Sequence, residues 1–245
     1  MKMGLKVDGV GQIVEGVNAL DAALSTNRVK KVYFLESPKN TSSKYKKLLD
    51  TLRKKNIEIE VIKDPHRWNF HSRHNIVGIC EEKKIYNETN FEQKLKNKIL
   101  ILDHIQDTNN FGAIVRSAAA FGFETVFIPK KRSVKITERT FTIASGGMEY
   151  VDIVLYNSIF SLLKKIKSNN YWTIGLDMSS KNKIKEINLV DQKIALVLGS
   201  EQNGISLEIQ KKLDLVAQID MSESMESLNA SVAAAIAMHQ IFIKK

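Results

Sequence analysis

The feature that most constrains the fold is a repeated alternation of short apolar runs with helical stretches in the second part of the chain. Strands are predicted at 99–103, 125–128, 151–155, 172–176, 194–198 and 215–219. Helices are predicted at 110–121, which Gly122 favours ending, and at 159–166. This alternation is typical of an α/β fold with a mostly parallel sheet and helices on both faces. Ligands of such sheets bind in loops at the carboxyl ends of the strands.

The first part of the chain carries a shorter alternation of its own. Helical apolar spacing occurs at 13–24 and in the face formed by Tyr45, Leu48, Leu49 and Leu52. Strands are predicted at 32–35, 57–61 and 76–80. The charged stretch 83–98 is typical of a linker that includes one helical turn. The sequence therefore predicts a small α/β domain at 1–82, a linker at 83–98 and a second domain at 99–245.

Positive charge is unevenly distributed between these parts. The 245 residues include 37 basic and 27 acidic ones, a formal net charge of +10. Residues 1–98 hold 20 basic and 12 acidic residues, a net charge of +8, and residues 99–245 hold the remaining +2. Either a polyanionic partner such as RNA or a lysine-rich composition explains the excess, because only seven of the 37 are arginine.

The cysteine count and the longest apolar run indicate in which cellular compartment the protein is expected. The single cysteine, Cys80, excludes an internal disulfide and a zinc site built on paired thiolates. The first residues lack the apolar core of a signal peptide. The longest uncharged run, between Glu226 and Lys244, contains polar residues and is slightly short for a bilayer span. We expect a soluble cytoplasmic protein with no membrane association and no bound metal.

The last segment, 229–243, predicts a helix that is apolar on opposite faces. One face carries Val232, Ile236, His239 and Ile243, and the other carries Ala234, Met238 and Ile241. Packing against the core accounts for one face. A homodimer interface is our hypothesis for the other.

Three loops that follow predicted strands combine small and polar residues. The loop from Asp103 leads into a helix containing Asn110 and Arg116; alternatively Asn109 or Asn110 is only a helix cap and Arg116 a solvated side chain. In 198–205 two glycines bracket Glu201, although a structural turn also explains them. In 219–231, Ser227 and Asn229 either cap the last helix or belong to a site.

A histidine-rich stretch in the first part admits three interpretations. His66, His71 and His74 lie within nine residues, but their spacing matches no common metal site. Contact of Arg67, Trp68, Arg73 and His74 with RNA is one alternative, because such groups suit phosphates and unstacked bases. An ordinary solvated loop is the other.

Taken together and in order, the three loops resemble the motifs of the SpoU class of RNA ribose 2'-O-methyltransferases, within the SPOUT superfamily. The matching stretches are NNFGAIVRSAAAFG at 109–122, IALVLGSEQNG at 194–204 and IDMSESMESLNASVAAAI at 219–236. The stretches EGVNALDAAL and RHNIVGI resemble parts of the small substrate-binding domain of members that act on ribosomal RNA. The resemblance therefore covers nearly the whole chain.

The resemblance implies a trefoil-knotted catalytic domain, preceded by a ribosomal protein L30-like domain. It also implies S-adenosylmethionine as cofactor and RNA as substrate, most closely a guanosine of 23S ribosomal RNA. By position it assigns cofactor contacts to Leu198, Gly199, Gly204, Ile219, Met221 and Leu228. It places Asn110, Arg116, Glu201, Ser227 and Asn229 around the reacting ribose. Arg67, Arg73 and His74 are expected to bind RNA.

The residue types expected around the reacting ribose suit methyl transfer. This reaction is an in-line displacement, whose rate depends on aligning the ribose hydroxyl with the methyl group. Arg116 is either an unusual base or, more easily, a cation that stabilises the developing alkoxide. Glu201 is expected to hold its guanidinium, and Ser227 to hydrogen-bond the substrate or Arg116. Asp220 replaces a proline usual in the family, Gln202 a common glycine, and Ile76 a frequent glycine.

Two other functions remain open at this point. One is a ribose methyltransferase of the same class that acts on transfer RNA. The other is a non-catalytic RNA-binding factor of ribosome assembly, which would not require Arg116, Glu201 and Asn229 together.

Overall fold

The computed structural model describes residues 10–36, 42–88, 91–189, 192–222, 224–225 and 227–244. The strands are β1 (Ile13–Glu15), β2 (Val29–Leu35), β3 (Glu58–Ile62), β4 (Ile76–Cys80), β5 (Tyr86–Asn87), β6 (Lys98–Leu102), β7 (Thr125–Pro129), β8 (Asp152–Tyr156), β9 (Tyr171–Leu176), β10 (Lys193–Leu198) and β11 (Leu215–Ala217). The helices are α1 (Val17–Ser25), α2 (Ser43–Lys54), α3 (Thr108–Ala120), α4 (Glu138–Ala144), α5 (Gly147–Tyr150), α6 (Ile159–Ser168), α7 (Leu207–Gln210) and α8 (Ala230–Phe242).

The chain forms two compact units. The first consists of the described part of Met1–Lys84 together with Ile136–Glu149, and the second of Ile85–Lys135 with the described part of Tyr150–Lys245. The segment Ile136–Glu149 was predicted as part of the second domain, and its place in the first unit is a difference from that expectation. Part of the expected linker 83–98 is also ordered as β5 and as a short 3-10 helix at Glu92–Lys94.

The first unit is built on a four-stranded mixed sheet in the order β1-β4-β2-β3. Strand β2 pairs in parallel with β3 and antiparallel with β4. The helix predicted over 13–24 is wrong at its start, because Ile13–Glu15 form β1 and α1 begins only at Val17. Gly16 separates the two elements with a φ of 85°, a left-handed conformation that glycine adopts readily.

A buried ion pair connects the segment Ile136–Glu149 to the rest of the first unit. The Arg28 guanidinium is ion-paired with Glu149, whose side chain is 1% exposed. Arg28 also donates to the carbonyl oxygens of Gly11 and Glu81, at 2.6 Å each, and Thr26 Oγ1 donates to Glu149 at 3.1 Å. A buried carboxylate without such partners would be very unfavourable. This long-range pairing explains why the segment belongs to the first unit.

The second unit contains a seven-stranded sheet in the order β11-β9-β10-β6-β7-β8-β5. Each pair of neighbouring strands is parallel, which confirms the predicted mostly parallel sheet. Successive residues of β6 and β10 point to opposite faces, and both sets are buried. Ile99, Ile101, Ala195 and Val197 pack with side chains of α6. The sheet is therefore covered on both faces, as buried parallel sheets are.

Most element boundaries in the second unit agree with prediction to within two residues. The helix predicted at 110–121 is α3, and Gly122 follows its C-terminal cap with a φ of 73°. The last strand is shorter than expected, because it ends at Ala217 rather than at residue 219. Among the described residues, no helix is long and apolar enough to cross a membrane.

Candidate functional site

A cavity of about 670 Å³ lies at the carboxyl edge of the parallel sheet in the second unit. Three loops form it: the one after β9, the one after β10, and the one that connects β11 to α8. The lining residues are Leu176, Asp177, Met178, Leu198, Gly199, Ser200, Glu201, Gln202, Asn203, Gly204, Ile219, Met221, Ser227, Leu228, Ala230 and Ala233. The six residues predicted to contact a cofactor are all among them, so the structure brings them to one cavity.

The loop after β10 folds back on itself and presents backbone to the cavity. The Gly204 amide donates to the Ser200 carbonyl at 3.0 Å, and the Asn203 amide donates to Ser200 Oγ at 3.2 Å. A Cβ atom on Gly199 would lie 1.9 Å from the Gly204 carbonyl oxygen, so no side chain fits there. Gly204 itself has a φ of 60°. Both predicted glycines are thus required by the shape of the loop.

A row of polar side chains joins the three motifs beside this cavity. Asn110 Nδ2 donates to Glu201 Oε1 at 3.2 Å, and Asn229 Nδ2 donates to Asn110 Oδ1 at 3.0 Å. Glu201 lines the cavity directly. Three of the five predicted catalytic residues are therefore connected by hydrogen bonds, although they come from distant parts of the sequence.

Helix caps place two of these side chains. Asp107 caps α3 and accepts from the Asn110 amide at 2.7 Å, so neither Asn109 nor Asn110 is the cap. Asn229 caps α8, because its Oδ1 accepts from the Ser231 and Val232 amides. The amide nitrogen of Asn229 stays available for Asn110. The cap and the site are thus not alternatives for Asn229, which serves both.

Arg116 and Ser227 are not members of this hydrogen-bonded row. Ser227 lines the cavity, but no hydrogen bond or ion pair to Arg116 occurs among the described residues. Glu201 accepts a hydrogen bond from Asn110, and the expected contacts of Arg116 with Glu201 or Ser227 stay a prediction. Arg116 follows Asn110 by six positions, a rotation of roughly 240° about the axis of α3. Arg116 accordingly points to solvent on another side of that helix.

A partly buried cluster at the end of β6 was not predicted. The Asp103 side chain is hydrogen-bonded by Tyr156 Oη at 3.1 Å and lies 2.8 Å from His104 Nδ1. His104 has a φ of 62°, a left-handed conformation that is uncommon for residues other than glycine but that histidine adopts more often than most. Burial, together with the Asp103 carboxylate, raises the pKa of Tyr156 well above its usual range. Only the apolar run before Asp103 marks this place in the sequence, because Tyr156 comes from another strand.

Asp220, which stands where the family motif usually has proline, forms two ion pairs. Asp220 lies 3.0 Å from Lys183 Nζ and 2.5 Å from Lys185 Nζ. The hydrogen bonds from Lys185 and Lys183 hold the pKa of Asp220 below its usual value. Ile219 and Met221, on either side of it, line the cavity. Asp220 thus tethers the cavity wall by charge, where a proline would stiffen it by restricting φ.

The residues expected to bind RNA are exposed in the first unit. Arg67 ends a short 3-10 helix (Pro65–Arg67), and Arg73 and His74 follow in an irregular segment. The His74 ring lies beside Gly16, where an added Cβ would meet it at 3.1 Å. The Trp68 ring packs at a tilt against Phe70 with ring centroids 4.9 Å apart, and Phe70 contacts Tyr33. The three candidates therefore share one irregular region, and Trp68 is partly used in packing.

Other reactive groups fall outside this site. Among the described residues there is no group of three or more His, Cys, Asp and Glu side chains able to hold a metal ion. Burial raises the pKa of the Cys80 thiol to about 12, so the thiolate is scarce at neutral pH.

Comparisons with known proteins identify relatives for nearly the whole chain. Residues 97–239 match the SpoU rRNA Methylase family. A TrmH family tRNA/rRNA methyltransferase of Staphylococcus aureus is 33% identical over 168 residues, which are 65% of this chain and 67% of that protein. A protein of the same description from Staphylococcus epidermidis is 28% identical over 238 residues, covering 95% and 91% of the two chains.

Solved structures share the fold. The SpoU methyltransferase AviRb from Streptomyces viridochromogenes, in complex with AdoMet, matches with a TM-score of 0.74 and 18% identity, covering 94% of this chain and 88% of that one. An RNA 2'-O ribose methyltransferase matches with a TM-score of 0.76 and 19% identity over 95% and 88%. The A. aeolicus TrmH/SpoU tRNA modifying enzyme, at 26% identity and a TM-score of 0.55, covers 61% of this chain and 75% of that one.

Proposed function

Because the chain belongs to the SpoU rRNA methylase family, we propose that this S-adenosylmethionine-dependent RNA methyltransferase modifies a ribose 2'-hydroxyl. The proposed target is a guanosine of 23S ribosomal RNA. The observation that carries the proposal is the cavity in which all six expected cofactor residues meet, beside the hydrogen-bonded row Asn229–Asn110–Glu201. A cofactor pocket next to polar groups from three separate motifs is the arrangement that group transfer requires.

The cavity fits the cofactor in size and in chemistry. Small-molecule sites typically enclose ~300–1,000 Å³ and combine apolar walls with a few polar groups, and this one measures about 670 Å³. Leu176, Leu198, Ile219 and Leu228 supply apolar walls. The backbone of the Gly199–Gly204 loop supplies amides and carbonyls. The carboxylates of Asp177 and Glu201 suit a positively charged ligand.

The protein's own contribution to the reaction is mainly alignment. When bound, the cofactor supplies an electrophilic methyl group. Asn110 and Asn229 orient a ribose through amide donors and acceptors, and Glu201 fixes the Asn110 amide. Ser227, on the cavity wall, hydrogen-bonds the substrate. These contacts restrict a hydroxyl group at the cavity mouth to few orientations, which lowers the entropic part of the barrier.

The sequence motif, and no contact among the described residues, assigns Arg116 to the reacting ribose, and we propose that it stabilises negative charge on the ribose oxygen. A guanidinium stays protonated at neutral pH, so this role is chemically easier than that of a base. Arg116 is exposed, and no described side chain neutralises it. Removing a single stabilising donor of this kind commonly costs about 10²–10³ in kcat.

Two observations favour ribosomal RNA over transfer RNA. The match to the A. aeolicus tRNA modifying enzyme covers 61% of this chain, whereas the match to an rRNA methyltransferase from Sinorhizobium meliloti covers 94%. In the first unit, exposed Arg67, Arg73 and His74 offer donors for phosphates. We propose that this unit is ribosomal protein L30-like and captures the substrate RNA.

We further propose that the catalytic unit is trefoil-knotted and forms a homodimer through α8. Ala234, Met238 and Ile241 are fully buried, as one predicted face of this helix requires. On the other predicted face, Val232 is 46% and Ile243 60% exposed. Exposed aliphatic side chains on an otherwise apolar helix are typical of a surface that a second copy covers.

Calorimetric titration with S-adenosylmethionine and a methyl-transfer assay on ribosomal and transfer RNA test the proposal together. We expect the wild-type chain to bind the cofactor and to methylate large-subunit ribosomal RNA at a ribose 2'-oxygen. Arg116→Ala should bind the cofactor normally yet lose at least about 10²-fold in turnover. Gly199→Ala should lose cofactor binding, because its Cβ would overlap the Gly204 carbonyl.

Each alternative has its own outcome in these assays. A chain that binds ribosomal RNA but not the cofactor would be the non-catalytic assembly factor. Methylation confined to transfer RNA would identify the chain as the ribose methyltransferase that acts on transfer RNA. Near-normal turnover of Arg116→Ala would remove that residue from the catalytic set.

A further inference from the structure

The loop after β7 in the second unit carries a concentration of positive charge that the proposed catalytic residues do not use. It comprises residues 130–135, called here the β7 loop, with the exposed cations Lys130, Lys131, Arg132 and Lys135. Within the described parts of the chain, none of these four side chains forms an ion pair or a hydrogen bond. Four uncompensated cations within six residues produce a strong local attraction for anions.

The β7 loop is held in place by its backbone and by one buried side chain. The Lys130 amide donates to the Tyr156 carbonyl at 2.9 Å, and the Val134 amide donates to the Ile105 carbonyl at 3.0 Å. Val134 is 6% exposed, so it anchors the loop in the core. Ser133 Oγ donates to the Pro129 carbonyl at 2.7 Å. Cations on a fixed loop lose less conformational freedom on binding than cations on a mobile tail.

Topology places this loop beside the candidate active site. All neighbouring strands of the sheet are parallel, so the loops after β10, β6 and β7 leave from the same edge. The loop after β10 carries Glu201, and the connection after β6 leads to Asn110. Strand β7 is next to β6 and two positions from β10, about 10 Å along the sheet at the usual strand spacing. The Val134–Ile105 hydrogen bond ties the β7 loop to the segment before Asn110.

We propose that the β7 loop binds the RNA backbone phosphates that flank the reacting ribose. The proposal rests on the proposed function, since it concerns the same RNA at the same edge of the sheet. Lysine and arginine contact phosphates without reading sequence, and residues 130–135 include no aromatic side chain on which a base would stack. The catalytic unit thus holds the RNA backbone itself, independently of any contact made by the first unit.

A charge-matched pair of double variants tests the proposal in the full-length chain. Lys131→Gln with Arg132→Asn removes two cations of the β7 loop, and asparagine tolerates the left-handed φ of 54° at position 132. Lys211→Gln with Lys212→Gln removes the same charge from exposed positions between α7 and the start of β11, near the opposite edge of the sheet. Binding to a transcript of large-subunit ribosomal RNA is measured over a series of salt concentrations.

We expect the slope of log K against log salt concentration to become shallower by about 1.5 in the β7-loop variant, since each lost phosphate contact contributes ~0.7–0.9. The control variant should keep the wild-type slope. Calorimetry with S-adenosylmethionine should give wild-type binding for both variants, which verifies that the catalytic unit is folded. Equal slopes in the two variants, or a β7-loop variant with the wild-type slope, would overturn the proposal. A wild-type chain that binds no cofactor would instead contradict the proposed function and leave the slope comparison intact.

Discussion

One region of each unit shows the difference between cations that are already paired and cations that are not. In the first unit Arg28 is buried against Glu149, and Lys31 lies between the carboxylates of Glu58 and Glu60. In the second unit the β7 loop presents four cations without any described acidic partner. The first 98 residues nevertheless hold most of the net charge, +8 of +10. Net charge therefore does not locate an anion-binding surface, because it ignores which cations are already paired.

The largest effect is expected from breaking the buried pair of the first unit. Arg28→Ala leaves the Glu149 carboxylate buried without its cation, and such losses typically cost about 3–5 kcal/mol of unfolding free energy. Urea denaturation of the full-length chain measures this change. Lys30→Ala is the matched control, because Lys30 pairs with Glu81 at 3.6 Å and both side chains are more than 60% exposed. A loss below about 1 kcal/mol is expected there. Similar losses of unfolding free energy in Arg28→Ala and Lys30→Ala would contradict the expected difference between a buried and an exposed ion pair.

An intermediate effect is expected from a paired carboxylate in the second unit. Burial alone would raise the pKa of Asp214, but hydrogen bonds from Lys167 and from Thr173 outweigh it and hold that pKa below its usual value. Because the folded pKa is lowered, the stabilisation is present above the ordinary aspartate pKa of about 3.9 and is lost as pH falls through the folded value. Asp214→Asn should cost about 1–2 kcal/mol at pH 7.

The pH dependence distinguishes this electrostatic effect from a loss of packing. Urea denaturation between pH 3 and pH 6 should show a wild-type stability that falls towards pH 3 more steeply than that of Asp214→Asn. Parallel curves for the two proteins would mean that the ionised state of Asp214 contributes nothing.

The smallest effect is expected at Lys31, a cation of the first unit that is already paired. Hydrogen bonds with Glu58 and Glu60 raise the pKa of Lys31 well above its usual range and keep its ammonium on those carboxylates. Lys31→Gln should therefore change the salt dependence of RNA binding much less than the β7-loop variant, whose expected change in slope is about 1.5. A comparable change for Lys31→Gln would show that pairing does not prevent a lysine from contacting RNA.

Local patterns were sufficient to predict most of the second unit's sheet. Its strands are buried on both faces, so each appears as a continuous apolar run such as IALVL in β10. Strands β1 and β5 were missed, because three and two residues are too short for a periodicity to develop. The place of Ile136–Glu149 depends on the pairing of Glu149 with Arg28, 121 residues away, which no local pattern contains.

The candidate site was predicted through its motifs, and its geometry only in part. The glycines and apolar residues of the cavity lie together because the parallel strands deliver their loops to one edge. The orientation of Arg116 away from Asn110 follows from helical rotation over six residues, so helix periodicity contained that information. The Asp103–His104–Tyr156 cluster depends on strand order, which the sequence alone does not specify.

The inclusion of Ile136–Glu149 in the first unit has a consequence for how the protein is made. A ribosome adds about 5–20 residues per second, so Arg28 is synthesised several seconds before Glu149. During that interval the nascent first unit lacks the carboxylate that neutralises Arg28. The first unit therefore completes its fold only after the opening strands of the second unit have been translated, and a fragment ending at Lys84 reproduces that unfinished state permanently.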